Sequence, residues 1–189
     1  MKKLIKNKNR SYYIGASDTK FVVGNWKTKT FEKWWLEKLN LRNNNFTNLA
    51  MITGTYYEHK IIDSLGIEKI KKDKQIIKKR LRLRVNLDAN TKDTIYEIKT
   101  YNYEKGFKVP RNYEEQVQVQ MYAKGIKKAY IVAYGLVEED YNNYFNEIDK
   151  ERISLHKIEY DEDFINNIYL PKLRYLSKCL KKGIYPVVK

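Results

Sequence analysis

The stretch from residue 80 to residue 101 constrains the fold more than any other part of the sequence. Its first half alternates basic with apolar side chains: Arg80, Arg82 and Arg84 against Leu81, Leu83, Val85 and Leu87. A period of two residues is typical of a β-strand with one polar and one apolar face. A turn at 89–93 and a second strand over Thr94–Tyr101 follow, so the segment predicts a β-hairpin.

This hairpin is expected to gather three charged residues on its polar face. Residues two apart on a strand share a face, so Glu97 and Lys99 point the same way. The hydrophobic pattern favours a register that opposes Asp88 to Ile95, which places Asp88 beside them. The apolar face is then formed by Leu83, Val85, Leu87, Tyr96 and Ile98.

A fourth charged candidate, Glu58, lies in a helix predicted over residues 47–65. It falls on an apolar stripe with Met51 and Ile61, where a carboxylate is costly unless it is paired with a cation or a metal. Three carboxylates converging on one point repel each other, and a divalent cation removes that penalty. Oxygen ligands without His or Cys suit Mg²⁺ or Mn²⁺.

Such a set is suited to metal-dependent hydrolysis of phosphodiesters, with Lys99 orienting the attacking water. The pattern D-x(8)-E-x-K is nevertheless short, and an exposed hairpin with ordinary ion pairs also satisfies it. An EF-hand is excluded, because Asp93 stands where glycine is required and Lys99 where glutamate is required.

The composition limits the kinds of molecule that this protein is expected to bind. The 189 residues carry 38 Lys and Arg against 23 Asp and Glu, a net charge of +15, which favours polyanions such as nucleic acids. The single cysteine, Cys179, excludes a disulfide framework and a cysteine-based zinc site. We expect a soluble, cytoplasmic protein with no membrane partner, because no apolar run reaches 18 residues and no secretory signal is seen.

The rest of the sequence predicts mainly helices, within a single domain over residues 1–189. The arm at 1–10 is basic, and a C-terminal segment over 161–189 is mostly helical, divided near Pro171. Further helices are predicted over 17–24, over Thr30–Leu39 and from an Asn112 cap to Gly125. Further strands are predicted over Lys128–Leu136 and Arg152–Tyr160.

Five segments, in order along residues 10–185, match the motifs of a known family. They are Ile14–Asp18 (IGASD), Met51–Glu58 (MITGTYYE, with a G-x-x-x-E spacing), the pair Asn86–Asp88 and Glu97–Lys99, Tyr113–Met121 (YEEQVQVQM), and Gly125 with the strand after it. Together they resemble the YqaJ-type viral recombination exonucleases, relatives of phage lambda exonuclease in the PD-(D/E)xK nuclease superfamily.

The resemblance implies an α/β fold with a restriction-endonuclease-like core, a mixed β-sheet flanked by helices. It implies a Mg²⁺-dependent (or Mn²⁺-dependent) DNA exonuclease that resects duplex DNA ends 5′ to 3′ in phage-type recombination. The protein would then be a phage or prophage protein acting in a bacterial host. Its partners would be double-stranded DNA ends and a single-strand annealing protein, and it would form a homo-oligomer, a trimer.

The same resemblance assigns roles to residues. Metal ligands would be Asp88, Glu97, the Ile98 carbonyl and Glu58, with Lys99 as the catalytic lysine and Gln116 as a support. The 5′-phosphate of DNA would be bound by Arg10 and Ser17, assisted by Asn86. This chain has Asn86-Leu87-Asp88-Ala89 where relatives often have proline before the aspartate and glycine after it.

Other residues have weaker assignments. Arg80, Arg82 and Arg84 are candidates for a DNA-contacting track or a solvated face. Met51 is interpreted as a core residue rather than an apolar wedge at a DNA end, and Gln118 and Gln120 as surface or structural residues. We interpret His59 and His156 as structural.

Two other functions stay open at this point. One is a related PD-(D/E)xK endonuclease of restriction or repair type, built on the same core. The other is a non-catalytic nucleic-acid-binding module driven by the net charge. The intact set of Asp88, Glu97 and Lys99 argues against the second, because a pure binding module has no need of carboxylates facing phosphates.

Overall fold

A six-stranded mixed β-sheet organises the fold. The structure is a computed structural model and describes residues 11–43 and 47–187. The strands are β1 (Ile14–Gly15), β2 (Lys71–Lys78), β3 (Leu83–Asn90), β4 (Ile95–Asn102), β5 (Lys128–Leu136) and β6 (Ile153–Glu159). Their order is β1-β3-β4-β5-β6, and β2 also pairs with β3. The β1–β3 and β4–β5 pairs are parallel and the other pairs are antiparallel.

In the described part of the chain, six α-helices surround this sheet. They are α1 (Thr19–Val23), α2 (Lys29–Lys38), α3 (Leu49–Ser64), α4 (Arg111–Lys124), α5 (Glu138–Asn142) and α6 (Leu170–Lys182). A π-helical segment, Phe164–Tyr169, leads into α6, so the predicted C-terminal helix divides next to Pro171. Among the described residues, no helix has the length and apolar character needed to cross a membrane.

Two apolar clusters pack the helices on opposite faces of the sheet. The first cluster packs α1, α2, α4 and α6 against the sheet and includes Ile131 of β5. The second cluster packs α3 against the sheet and includes Val132 of β5. Successive residues of a strand point to opposite faces, so these neighbours on β5 place the clusters on different sides. The predicted α/β fold, a mixed sheet flanked by helices, is therefore confirmed.

Several predicted boundaries are wrong, for local reasons. The strand predicted from Arg80 begins at Leu83. Residues 79–81 form a 3₁₀ turn, and the backbone of Arg82 has the left-handed conformation with φ 47°. Strand β2 was not predicted, because its lysine-rich sequence does not alternate. Helix α4 begins at Arg111, since the Pro110 carbonyl accepts the first helical hydrogen bonds, so Asn112 is not the cap.

The predicted hairpin register is also wrong. Strands β3 and β4 pair through Ala89–Tyr96 and Asn90–Ile95, so Asp88 does not oppose Ile95. Beyond these two pairs the strands diverge, and the expected single apolar face divides between the two clusters. Leu83, Val85 and Leu87 belong to the first cluster, and Tyr96 and Ile98 to the second.

A buried polar network anchors α3 to the sheet. The Tyr57 hydroxyl donates to Asp140 Oδ1 at 3.0 Å, and Arg152 Nη1 donates to Asp140 Oδ2 at 2.6 Å. The Tyr57 ring stacks on Tyr134, over which the Arg152 guanidinium also lies. Because Asp140 is 1% exposed, this network holds the segment of α3 that carries Glu58 in one position.

The substitution Asp140→Ala tests this anchor. It leaves the Arg152 guanidinium and the Tyr57 hydroxyl buried without their shared acceptor, and we expect the free energy of unfolding to fall by about 3 kcal/mol. Urea denaturation measures the loss. Glu159→Ala is the control, because it breaks an exposed 2.6 Å ion pair with Lys157 and should hardly change the stability. Equal losses in the two variants would contradict the assignment.

Candidate active site

The candidate site lies where β3 and β4 diverge. At this point no backbone carbonyl of β3 pairs with the Ile98 N–H. The Asp88 carboxylate accepts this N–H instead, through Oδ2 at 2.9 Å. The hydrogen bond fixes the carboxylate beside the adjoining residue of β4, Glu97. The predicted proximity of Asp88 and Glu97 therefore arises from a side-chain bond between diverging strands and not from a continuous ladder.

Glu97 is a buried carboxylate held by three donors. Its Oε1 accepts from Lys99 Nζ at 2.8 Å and from the Gln116 amide, and its Oε2 accepts from Gln120 Nε2 at 2.5 Å. These bonds compensate the cost of burying a side chain that is 3% exposed. A carboxylate offers about four acceptor positions, so room for a further ligand remains on Glu97.

Gln120 is a site residue that the sequence analysis missed. It was interpreted as surface or structural, yet its amide contacts the same carboxylate as Gln116. Residues four apart lie on one face of a helix, so the spacing of these two glutamines was the available signal. Gln118 has the structural role: it donates to the Glu159 carbonyl and accepts the Asp161 N–H.

The pKa values of two neighbouring carboxyl groups, Asp88 and Glu58, are raised by their surroundings. Burial raises the pKa of Asp88 well above its ordinary value, and the charges of Glu97 and Glu58 raise it further against the opposing effect of Lys99. Burial also raises the pKa of Glu58, to which Glu97 and Asp73 add. The three predicted carboxylates thus lie close enough to repel one another.

This donor set fits a divalent cation. Asp88, Glu97 and Glu58 would provide carboxylate oxygens, and the Ile98 carbonyl is the fourth predicted ligand. Oxygen donors of this kind suit Mg²⁺ or Mn²⁺, and an ion among them would offset the repulsion that raises the pKa values of Asp88 and Glu58.

Lys99 is held as a cation. Its Nζ contacts Glu97 and lies 3.4 Å from Gln116 Oε1 and 4.6 Å from the centre of the Tyr113 ring. Burial lowers the pKa of Lys99, but the charge and the hydrogen bond of Glu97 outweigh this effect and raise the pKa overall. The ammonium is therefore suited to stabilising negative charge and not to removing a proton at neutral pH.

A groove of about 1220 Å³ is lined by Asp88 and Gln116 and by residues of α2. Its lining includes the predicted residues Ser17 and Asn86. The cationic residues in its wall are Lys20, Lys33, Lys38, Arg42 and Arg84. These five cations outnumber the acidic side chains of the lining, which are Asp18, Glu37 and Asp88, and an excess of positive charge suits a phosphodiester backbone.

Asp18 shapes the part of the groove that presents Ser17. Its carboxylate accepts the Gly15 N–H at 2.8 Å and the Trp34 indole N–H at 2.9 Å, and pairs with Lys38 at 2.6 Å. These contacts join the turn at residues 14–18 to α2. The IGASD motif therefore orders one wall of the groove, with Ser17 exposed on it.

The other residues predicted to contact DNA do not all line the groove. Arg84 is 6% exposed and lines the groove, whereas Arg80 is exposed in the 3₁₀ turn and Arg82 donates to the Tyr12 carbonyl at 3.2 Å. Arg80 and Arg82 therefore do not lie with Arg84 on a strand face. Met51 lines the groove and is 50% exposed, so its interpretation as a core residue is wrong. Arg10 lies outside the described residues.

Comparisons with known proteins place the fold among exonucleases. No protein-family model matches the sequence, and no curated protein gives a significant match. The structure is similar to an alkaline exonuclease, LHK-Exo, from Laribacter hongkongensis, with a TM-score of 0.67 and 21% identity over 93% of this chain and 94% of that one.

Two further solved structures are similar. LHK-Exo in complex with dAMP gives a TM-score of 0.72 at 19% identity, covering 93% of this chain and 91% of that one. A phage-related exonuclease from Haemophilus somnus gives 0.64 at 17% identity, covering 93% of this chain and 98% of that one. These solved exonucleases therefore share the fold of this chain.

The raised pKa of Asp88 predicts a dependence of stability on pH in the metal-free protein. The folded chain binds this proton more tightly than the unfolded chain, so the contribution favours folding below the ordinary value of 3.8 and is lost as the pH rises through the raised pKa. Asp88→Asn removes the charge and keeps an acceptor for the Ile98 N–H. With EDTA present, we expect the variant to unfold at a higher temperature than the wild type at about pH 8.

The difference should shrink as the pH falls towards about 4, because the wild-type carboxyl then becomes neutral. Thermal unfolding followed by circular dichroism across this range measures it. Asp63→Asn, which removes a negative charge from an exposed position on α3, is the control. A melting-temperature difference for Asp88→Asn that does not change with pH would contradict the assigned environment.

Proposed function

We propose that this chain is a Mg²⁺-dependent DNA exonuclease that resects duplex ends from 5′ to 3′ in phage-type recombination. One observation carries the proposal: Asp88, Glu97, Glu58 and Lys99 interact electrostatically with one another, and Asp88 lines a groove that contains five cationic side chains. The similarity of the fold to solved exonucleases supports it.

The chemistry follows from the charges that these residues carry. A divalent ion bound by Asp88, Glu97, Glu58 and the Ile98 carbonyl would supply Lewis-acid polarisation of the phosphate. The Lys99 ammonium, held by Glu97, would orient a water molecule and offset the negative charge that develops on the phosphate oxygens. Gln116 and Gln120 would fix the Glu97 carboxylate in the position that this chemistry needs.

The groove supports a substrate with a phosphorylated end. Ser17 and Asn86 line the same groove as Asp88 and offer hydrogen-bonding side chains, and Arg10 is the third group that the resemblance assigns to the 5′-phosphate. A solved relative of the fold, LHK-Exo, has been observed with dAMP, a nucleoside monophosphate of the kind that stepwise digestion of DNA releases.

Partners of the chain belong to the same proposal. The substrate is the end of double-stranded DNA, and a single-strand annealing protein would take up the strand that resection exposes. Assembly into a trimer and action in the cytoplasm of a bacterial host, as a phage or prophage protein, follow from the family resemblance. The basic groove is consistent with the first of these partners.

Lys99→Ala tests the assigned chemistry. We expect digestion of an end-labelled linear duplex in Mg²⁺ to fall about 1000-fold, equivalent to about 4 kcal/mol of barrier, because the charge beside the phosphate is lost. DNA binding, measured by fluorescence anisotropy, should be nearly unchanged. Lys105→Ala, which removes an exposed lysine after β4, controls for the loss of one positive charge.

The same assay separates the alternatives. Covalently closed circular DNA should stay intact with the wild type, whereas an endonuclease would nick it. A non-catalytic binding module would give salt-sensitive binding and no product with either substrate. Full activity of Lys99→Ala would overturn the proposal.

Ser17 is assigned to the 5′-phosphate. We expect the wild type to digest 5′-phosphorylated ends faster than 5′-hydroxyl ends, and Ser17→Ala to reduce that preference about tenfold, since a hydrogen bond to a charged group contributes roughly 1.5 to 3 kcal/mol. Single-turnover rates on the two substrates measure the preference. Ser64→Ala, at the end of α3, is the control, and an unchanged preference in Ser17→Ala would refute the role.

A further inference from the structure

A second cluster of ligand atoms lies where α3 meets β2. It consists of Glu58 and His59 from the helix and Asp73 from the strand, whose ligand atoms all lie within 4.8 Å of one another. Two ligands about 2.1 Å from a common ion are separated by up to roughly 4 Å, so a small adjustment brings all three into coordination. From the sequence, His59 is interpreted as structural and Asp73 is not among the predicted site residues.

The backbone of β2 explains how Asp73 reaches the helix. Lys72 pairs with Asp63 of α3, and the next residue, Asp73, contacts His59 of α3 at 3.1 Å. Successive residues of a regular strand point to opposite faces, so both could not contact the same helix. Asp73 has φ 53°, and the β2–β3 pairing skips it between Lys72–Ala89 and Lys74–Leu87.

The donor set has a defined chemistry. It contains one imidazole nitrogen and two carboxylates, a combination that suits a divalent transition ion such as Mn²⁺ better than Mg²⁺, which prefers oxygen ligands alone. His59 Nε2 is the ring nitrogen that faces Asp73. The neighbouring ammonium of Lys72 is paired with Asp63, so it does not occupy this cluster.

Glu58 connects this cluster to the site described above. Its carboxylate interacts electrostatically with Glu97 as well as with His59 and Asp73. We propose that Glu58, His59 and Asp73 bind a second divalent transition ion, with Glu58 shared between this ion and the one held by Asp88 and Glu97. The shared role of Glu58 rests on the proposed function, whereas ligation by His59 does not.

The chain offers a direct test, because it contains two histidines, His59 and His156. His156 lies on β6, where it contacts Ser154 and the Phe107 ring, and serves as the matched control. Protein without a polyhistidine tag is stripped with EDTA and loaded with Mn²⁺, and pulsed electron paramagnetic resonance detects ¹⁴N nuclei coordinated to the ion.

We expect imidazole ¹⁴N coupling in the wild type and in His156→Ala, and its loss in both His59→Ala and His59→Gln. Calorimetric titration should give two Mn²⁺ per wild-type chain and one per chain for the His59 variants. Since His59 is partly exposed, these variants are expected to fold, which circular dichroism verifies. Absence of the coupling in the wild type, or its persistence in His59→Ala, would overturn the second site.

These outcomes are separable from those of the proposed function. Digestion of linear DNA in Mg²⁺ without ¹⁴N coupling in Mn²⁺ would refute the second ion and leave the exonuclease proposal standing. Coupling that depends on His59, in a protein that digests no DNA, would support the ion site and refute the exonuclease.

Discussion

The hydrogen bond from the Ile98 N–H to the Asp88 carboxylate is the contact on which the candidate site depends. It forms where β3 and β4 stop pairing, so the strands can diverge without leaving that N–H unsatisfied. The divergence opens space for carboxylates between two strands that would otherwise be joined by a continuous ladder. The left-handed Asp73 interrupts the pairing on the other side of β3, and Asp88 is therefore freed from a regular ladder on both sides.

The three carboxyl groups of the site, Glu97, Asp88 and Glu58, have different electrostatic surroundings. Glu97 is stabilised in its buried position by Lys99, Gln116 and Gln120, whereas burial and mutual repulsion raise the pKa values of Asp88 and Glu58. A buried group of carboxylates with one ammonium is an unfavourable arrangement for a metal-free protein and a favourable one for binding a divalent cation. The groove beside it contains more cationic than acidic side chains, a charge balance that suits the proposed phosphodiester substrate.

Much of this site could be predicted from sequence, because strand periodicity and the ordered motifs identify Asp88, Glu97, Lys99, Glu58 and Gln116. The register of β3 with β4 could not, since the strands pair through Ala89–Tyr96 and Asn90–Ile95 and then separate around the Asp88–Ile98 hydrogen bond, a contact that periodicity does not reveal. Gln120 could have been predicted as well, because its spacing of four residues from Gln116 places both side chains on one face of α4. The exposure of Met51 depends on what packs against α3 in three dimensions, which no local pattern encodes.

The most direct test of the account is an anomalous difference map from crystals soaked in Mn²⁺. We predict a peak within coordination distance of the carboxylates of Asp88 and Glu97 and of the Ile98 carbonyl, beside the groove that Asp88 lines. A map without a peak there, or a structure in which Asp88 turns into the apolar core, would contradict the assignment of a metal-dependent nuclease.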